Sequence, residues 1–388
     1  MNDKNNKNNP PFDSAQDNIS PNQGDIPTAV DDKKAKLKEE KQVSVSIFRK
    51  RWRKFRTLKR GYYSFLTLLV LYILSFMLPL LVNNAALIVK YNEHYYFPVF
   101  KSGIYEADVF GQNRDGEANY RALKKQFQEE DKGNWVLMPL YPFGPNENLL
   151  DETVGNPPHP PSATHIFGTD DRARDVFSRI VYGFNISISF ALAVTFFSYL
   201  FGVTIGAILG FFSGKIDIIG QRFIEIWATL PFLYVMIIIS SILQPNFLWL
   251  VVILTAFSWE GITYYIRGEF YREKARDYVS AAVSLGAKNH TVIFKHILPN
   301  SLTPIVSFAP FAIVADISSL VALDYLGFGL PPPTPSWGQL ISQGMNYIEN
   351  WWLVVAPLSV MFLTLIAIVF IGEAIREAFD PKVYSRLR

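Results

Sequence analysis

Asp277 to Asn300 reads DYVSAAVSLGAKNHTVIFKHILPN, a polar, positively charged island between long apolar runs. Its first half alternates small residues with helix formers, among them Ala281, Ala282 and Leu285. Gly286 breaks that run, the second half is helix-like as far as Leu298, and Pro299 closes it. The pattern predicts two short helices joined at a glycine turn and lying outside a bilayer. An ordinary loop between two spans has the same pattern; a docking surface for a soluble partner is the sharper reading.

The island matters because of what surrounds it. Hydrophobic residues make up 49% of the 388, and they are gathered into uninterrupted runs, which marks a multispanning membrane protein. Net charge is only +3, so its placement carries the information. There is no Cys, which excludes disulfides, thiol catalysis and cysteine-based metal sites. The first apolar run begins near residue 61 behind a polar segment, has no clear cleavage region, and is expected to remain as an anchor.

In chain order, residues 1–44 are rich in Asn, Asp, Lys, Gln and Pro and are expected to be a disordered cytoplasmic tail. Residues 45–60 hold eight Lys or Arg, with Phe48, Trp52 and Phe55 at helical spacing. They predict a basic amphipathic helix meeting anionic lipid headgroups, or a plain basic flank; either places this end in the cytoplasm. Residues 61–82 are uncharged and at ~1.5 Å per residue span a bilayer as transmembrane helix 1. Residues 83–184 are then an extracytoplasmic, periplasmic insert, long enough for a small mixed α and β domain. Within it His159 and His165 read as isolated surface histidines, and Asp170, Asp171 and Asp175 as the cap and first turn of a helix.

Residues 185–388 read as a core of five further spans, near 185–212, 222–243, 248–266, 302–323 and 351–371, with the island in a cytoplasmic loop over 269–300. The fold class is thus an all-α membrane protein of six transmembrane helices with both termini cytoplasmic, which satisfies the positive-inside rule at every short loop. Gly202, Gly206, Gly210 and Gly214 recur every four residues and predict close helix packing. Pro231 is a candidate kink.

Catalytic machinery is missing from the sequence. Gly210 to Lys215 is one residue short of a phosphate-binding loop and lacks the hydroxyl that would hold Mg²⁺. No HExxH, GxSxG or clustered His/Asp/Glu occurs. Two acids stand inside apolar runs, Glu260 and Asp316. A charge there costs about 2.5–3.5 kcal/mol on translocon scales unless paired or wet. They either line a translocation path or lie near helix ends and pair with a partner subunit.

The island also carries a resemblance. It is similar to the EAA loop of permease subunits in ABC importers, matched by Ala281, Ala282, Gly286, Leu298 and Pro299. Ser280 stands where that family usually has Glu, and His296 where it often has an apolar residue. A glutamate there would pair with a basic group on the ATPase; Asp277, one turn earlier, is the alternative carboxylate. GTDDRARDVFSRIVYG (168–183) and DYLGFGLPPPTPSWG (324–338) resemble blocks of the C-type permease of dipeptide and oligopeptide importers. GKIDIIGQRFIEIW (214–227), QPNF (244–247) and FIGEAIREAFDP (370–381) look like its Yej-type branch.

That resemblance implies a type I ABC importer permease that hydrolyses nothing itself and holds no cofactor or metal, with ATP and Mg²⁺ on a partner ATPase. It implies a second, homologous permease, one or two cytoplasmic ATPase subunits (one fused in the Yej branch), and a periplasmic peptide-binding protein in a Gram-negative inner membrane. Cargo would be peptides, including peptide antibiotics such as microcin C. Nucleic acid is not an expected partner. The helix pair around Gly286 would move with the ATPase, while the insert and the Pro-rich loop near Trp337 would meet the binding protein. An ion- or proton-coupled carrier acting alone and a membrane sensor are the readings from other classes. The polar island counts against the first, and the lack of a soluble output domain against the second.

Overall fold

Residues 47–101, 103–150 and 155–380 are described in a computed structural model. The expected tail over 1–44, the side chain of Phe48 and the basic end beyond Asp380 lie outside the described residues. Contacts divide the chain into two units, Met1–Lys50 and Arg51–Arg388. The first is described only at residues 47–50, the opening turn of α1 (Ile47–Thr57).

Within the second unit, Phe55 is buried against Ala374 and Ala378, and Lys54 pairs with Glu377 at 3.0 Å. The apolar face of α1 therefore serves protein packing at Phe55, while Trp52 stays exposed. After Leu58 comes α2 (Lys59–Ser75), then a turn and a single-turn α3 (Leu78–Leu81) with Pro79 in its first turn. The run 61–82 is thus broken near Phe76 rather than continuous.

The insert has its own core. β1 (Ile88–Tyr91) and β2 (His94–Tyr96) form a hairpin whose two-residue turn puts Asn92 and Glu93 at φ 49° and 64°. After α4 (Tyr120–Glu130), capped by Asn119, β3 (Trp135–Leu137) adds to the other edge of β1, giving the antiparallel order β2-β1-β3. Leu123 and Phe127 of α4 close over Val89, Phe110 and Val136. The all-α expectation thus describes the long helices, and the insert is a small mixed α and β unit as its length suggested.

α5 (Val176–Phe212) begins well before residue 185, because Asp175 caps it by accepting from the Ser178 amide at 2.8 Å. Its 37 residues reach ~55 Å, longer than the ~30 Å hydrocarbon layer. The polar first turns, with Ser178, Arg179 and Tyr182, hid that start from a hydropathy reading. α6 (Gly214–Ala228) and α7 (Phe232–Ile242) are bent by 70° at Thr229–Pro231, where proline lacks the amide and disfavours helix in the residue before it. What reads as one kinked span over 222–243 is two helices. α8 (Phe247–Lys274), α9 (Asp277–Ser284) and α10 (Asn289–Thr291) follow, α10 running on into a π-helical segment, Val292–Ile297. α11 (Leu302–Leu326), α12 (Trp337–Asn346) and α13 (Trp352–Phe379) complete the chain.

Among the described residues, α5, α8, α11 and α13 are long and apolar enough to cross a membrane, with the bent α6–α7 pair as a fifth candidate. α2, at 17 residues, is shorter than these. The main core joins Ile180, Phe184 and Ile188 of α5 to Ile317 and Val321 of α11, Leu340 of α12 and Leu353 and Ile368 of α13.

Candidate coupling site and the helices behind it

The island folds back on the end of α8. Val279, Val292 and Ile297 are buried with Ala207 and Phe211 of α5 and Ile262, Ile266 and Phe270 of α8. Burial of such a side chain contributes about 1.5–3 kcal/mol, so the inner face fixes the island to the α5–α8 pair. The outer face is apolar too: Val283 is 56% exposed, Phe294 68% and Leu285 88%. Polar pins complete the attachment. The Tyr278 hydroxyl donates to Glu273 Oε2 at 2.7 Å, and Asn300 Nδ2 donates to the His296 carbonyl at 2.8 Å. Burial, and then the bond to Glu273, push the Tyr278 hydroxyl above its usual range, which keeps it a donor.

The residues singled out from sequence fall on both faces. Asp277, Ser280 and Ala281 are exposed on α9, and Ala282 is half-buried. Gly286, with φ +82°, makes the turn; the Ala287 amide donates to the Ala282 carbonyl at 3.0 Å, and nothing crowds the Gly286 Cβ position. Leu298 is half-buried, its amide donating to the Ile293 carbonyl at 2.8 Å in the wide π pattern, and Pro299 is exposed. The position that lacks the family's glutamate is therefore open surface, and the one well-held carboxylate nearby is Glu273, 9% exposed and ringed by Arg272 and Arg276.

Behind the island the helices approach closely. A Cβ at Gly202 would run into Ile262 and the Trp259 carbonyl, one at Gly206 would lie 2.7 Å from the Thr263 carbonyl, and one at Gly210 2.6 Å from Phe270 Cβ. These three glycines let the α5 backbone lie on α8. Gly214 departs from the strip: it opens α6 at φ +58° with no atom within 4 Å of its Cβ position. Arg267 clamps this region by donating to both Asp217 oxygens at 2.5 and 2.7 Å, and Tyr271 donates to the same carboxylate at 2.5 Å. Arg267 accordingly ties α8 to α6.

Asp316 is buried, 4% exposed, and accepts from Thr195 Oγ1 at 2.7 Å, so it ties α11 to α5. Glu260 lies in the middle of α8, half-buried, with Oε2 enclosed and without a hydrogen-bond partner. No hydrogen bond or ion pair joins the two acids among the described residues. At the other end of the helices, His165 is buried and its Nδ1 lies 2.8 Å from Asp175 Oδ2, correcting its reading as a surface residue. Asp170 is no cap: it is fully buried, bonded to Arg174 and 3.5 Å from Arg179. Trp337 is fully buried, its Nε1 donating to the Ile180 carbonyl at 3.0 Å, so the exposed part of that loop is Pro331–Pro333. Among the described residues no three His, Cys, Asp or Glu side chains come together as a metal set.

A buried inner face, an exposed apolar tip and a stiff helix pair behind them form a unit suited to transmitting force. Residues 202–385 match the family described as binding-protein-dependent transport system inner membrane component. The chain is 40% identical over 332 residues, 85% of its own length and 96% of the relative's, to the inner membrane ABC transporter permease protein YejE of Escherichia coli (strain K12). The chain belongs to the ABC-transporter permease family. A permease named peptidoglycan transport system permease protein YejE, from Agrobacterium fabrum, is 38% identical over 86% of this chain and 93% of its own. The dipeptide transport system permease protein DppC of Bacillus subtilis is 33% identical over 64% of this chain and 78% of its own. The permease is thus an inner-membrane component with several membrane-spanning helices, and components of this family are not catalytic.

Proposed function

We propose that this permease is one of two homologous membrane subunits of an ATP-driven importer that carries peptides across the inner membrane. The observation that carries the reading is the two-faced island: Leu285 and Phe294 project outward while Val279, Val292 and Ile297 are locked into α5 and α8. Such a tip is a knob for a cleft in an ATPase, and any shift of the knob is delivered to the α5–α8 pair through buried Val279, Val292 and Ile297. ATP and Mg²⁺ reside on that ATPase. Coupling requires that the ATPase grip the island differently with and without nucleotide.

In this reading α2, α5, the α6–α7 pair, α8, α11 and α13 are the six spans, with α1 and the island on the cytoplasmic side and the insert in the periplasm. The exposed isoleucines and Phe223 of α6 face lipid or the second permease. The insert and Pro331–Pro333 form the surface for a periplasmic binding protein. The peptide cargo follows from the relatives' names, and microcin-like peptides belong to the same class. Ser280, Asp277 and Glu273 divide the role that a single glutamate has elsewhere: Ser280 leaves its own position uncharged, Asp277 supplies an exposed carboxylate one turn earlier, and Glu273 anchors the base. α1, with its basic residues, lies against anionic lipid.

Uptake of a labelled peptide into vesicles tests this directly. ATP-dependent uptake is expected when this chain, its second permease, the ATPase and the binding protein are present together. No ATP-dependent uptake by the full set contradicts the reading, and uptake by this chain alone points to a carrier instead.

A further inference from the structure

A cavity of about 630 Å³ opens where the insert meets the first turns of α5. That is within the ~300–1,000 Å³ range of ligand clefts. Its wall combines Asn83 and Asn84 after α3, Glu117 before α4, Glu147 and Asn148 from the following loop, and Tyr182 of α5. Three of these groups are fixed by protein contacts: the Asn83 carboxamide donates to the Pro79 carbonyl at 3.2 Å and accepts from the Ala85 amide at 3.3 Å. Tyr182 donates to the Val82 carbonyl at 3.0 Å, and Glu147 is held by both arms of Arg121 at 2.7 and 2.9 Å.

Glu117 differs. It is half-buried, lines the cavity, and makes no hydrogen bond or ion pair among the described residues. Burial, and then the neighbouring Glu147, push its carboxyl above the usual range, and Arg114 offsets part of this. The Arg121 guanidinium is already committed to Glu147, so Glu117, offset only in part by the exposed Arg114, stands at the wall as a carboxylate without a bonded partner, with carboxamides around it. Each carboxamide offers both a donor and an acceptor, the same pair a peptide backbone presents.

We propose that this cavity receives the free amino end of an extended peptide, Glu117 binding the α-ammonium and the asparagines pairing with the backbone amides. The inference rests on the peptide-import reading and places a cargo contact on the permease itself, at its outer face. Among the described residues an anion finds no uncommitted cation at the wall beyond the exposed Arg114, and a metal finds no third carboxylate or imidazole. An ammonium supplies the missing counter-charge and three donors.

The test uses the permease pair with its ATPase in nanodiscs, the binding protein omitted. The probe is tetra-alanine labelled at its C-terminus, either free or acetylated at the N-terminus, read by fluorescence polarisation. The free peptide is expected to bind about 10-fold more tightly than the acetylated one, as one charge-assisted contact worth about 1.4 kcal/mol provides. E117Q is expected to erase the difference, and N148W, at the exposed rim, to weaken both peptides. Equal binding of the two peptides to the wild type, a preference that survives in E117Q, or unchanged binding in N148W overturns the proposal. If E117Q does not assemble, the wild-type comparison and N148W decide it. ATP-driven peptide uptake by the complete wild-type transporter is measured alongside. Uptake without a preference for the free amino end removes the cavity assignment and leaves the importer reading standing, whereas no uptake removes the importer reading.

Discussion

At the scale of single residues, two glycines inside long helices, Gly206 of α5 and Gly261 of α8, have opposite surroundings. A side chain at Gly206 must displace the Thr263 carbonyl and Ile266, whereas one at Gly261 meets nothing within 4 Å. G206L is therefore expected to lose about 1–3 kcal/mol through overpacking, and G261A to gain about 0.5–1 kcal/mol through lower backbone freedom in the unfolded chain. Thermal unfolding in detergent ranks the two; a G206L protein as stable as the wild type contradicts the α5–α8 contact. Glu117 gives a pH-dependent case. Its carboxyl is raised by burial and by Glu147, so the unfolded chain releases that proton first as pH rises, and the charged form then weighs against folding. E117Q is accordingly expected to raise the melting temperature at pH 7.5 and to leave it unchanged below the ordinary carboxylate range. An equal effect at both pH values assigns the change to something other than ionisation.

At the scale of elements, the island separates two kinds of hydrophobic residue that look alike in sequence. L285D and F294D alter exposed side chains and are expected to keep the fold while reducing co-purification of the ATPase at least about 10-fold, the effect of removing a hot-spot contact worth ~2 kcal/mol. V292D and I297D bury a carboxylate without a partner and are expected to prevent assembly. Folded L285D and F294D that retain the ATPase in full contradict the docking role. The island's two helices and its glycine turn were legible in the sequence because Gly286 and Pro299 are strong local breakers. Which apolar residues face outward was not, because α9 is short and the second helix widens to a π turn at Val292–Ile297, which shifts the helical period. The same limit applies to α5: its length is set by the Asp175 cap and polar first turns, and hydropathy reads only its apolar part.

At the scale of the whole molecule, long apolar runs announced a helical membrane protein, and three separated sequence blocks announced its family. Partners of charged groups were not legible, since Asp217–Arg267 and Asp316–Thr195 join residues far apart in the chain. The α5–α8 pair and the island move as one body because apolar burial holds the island to the pair and glycine contacts hold α5 to α8, while the Arg267–Asp217 bridge adds α6. D217N removes one charge of a half-buried pair and is expected to destabilise by about 1–3 kcal/mol, with uptake falling before ATPase association does. Loss of ATPase association at unchanged stability contradicts that order.

The measurement that tests the central claim most directly is site-specific cross-linking between the island and the ATPase. The chain has no native Cys, so a single cysteine at Leu285, Ala282 or Lys288 can be paired with a cysteine scan of the co-expressed ATPase without background. The account predicts cross-links from these positions in the assembled membrane, with efficiencies that change when ATP is added. Absence of any cross-link from the exposed positions between Asp277 and His296, in a complex that still forms, contradicts it.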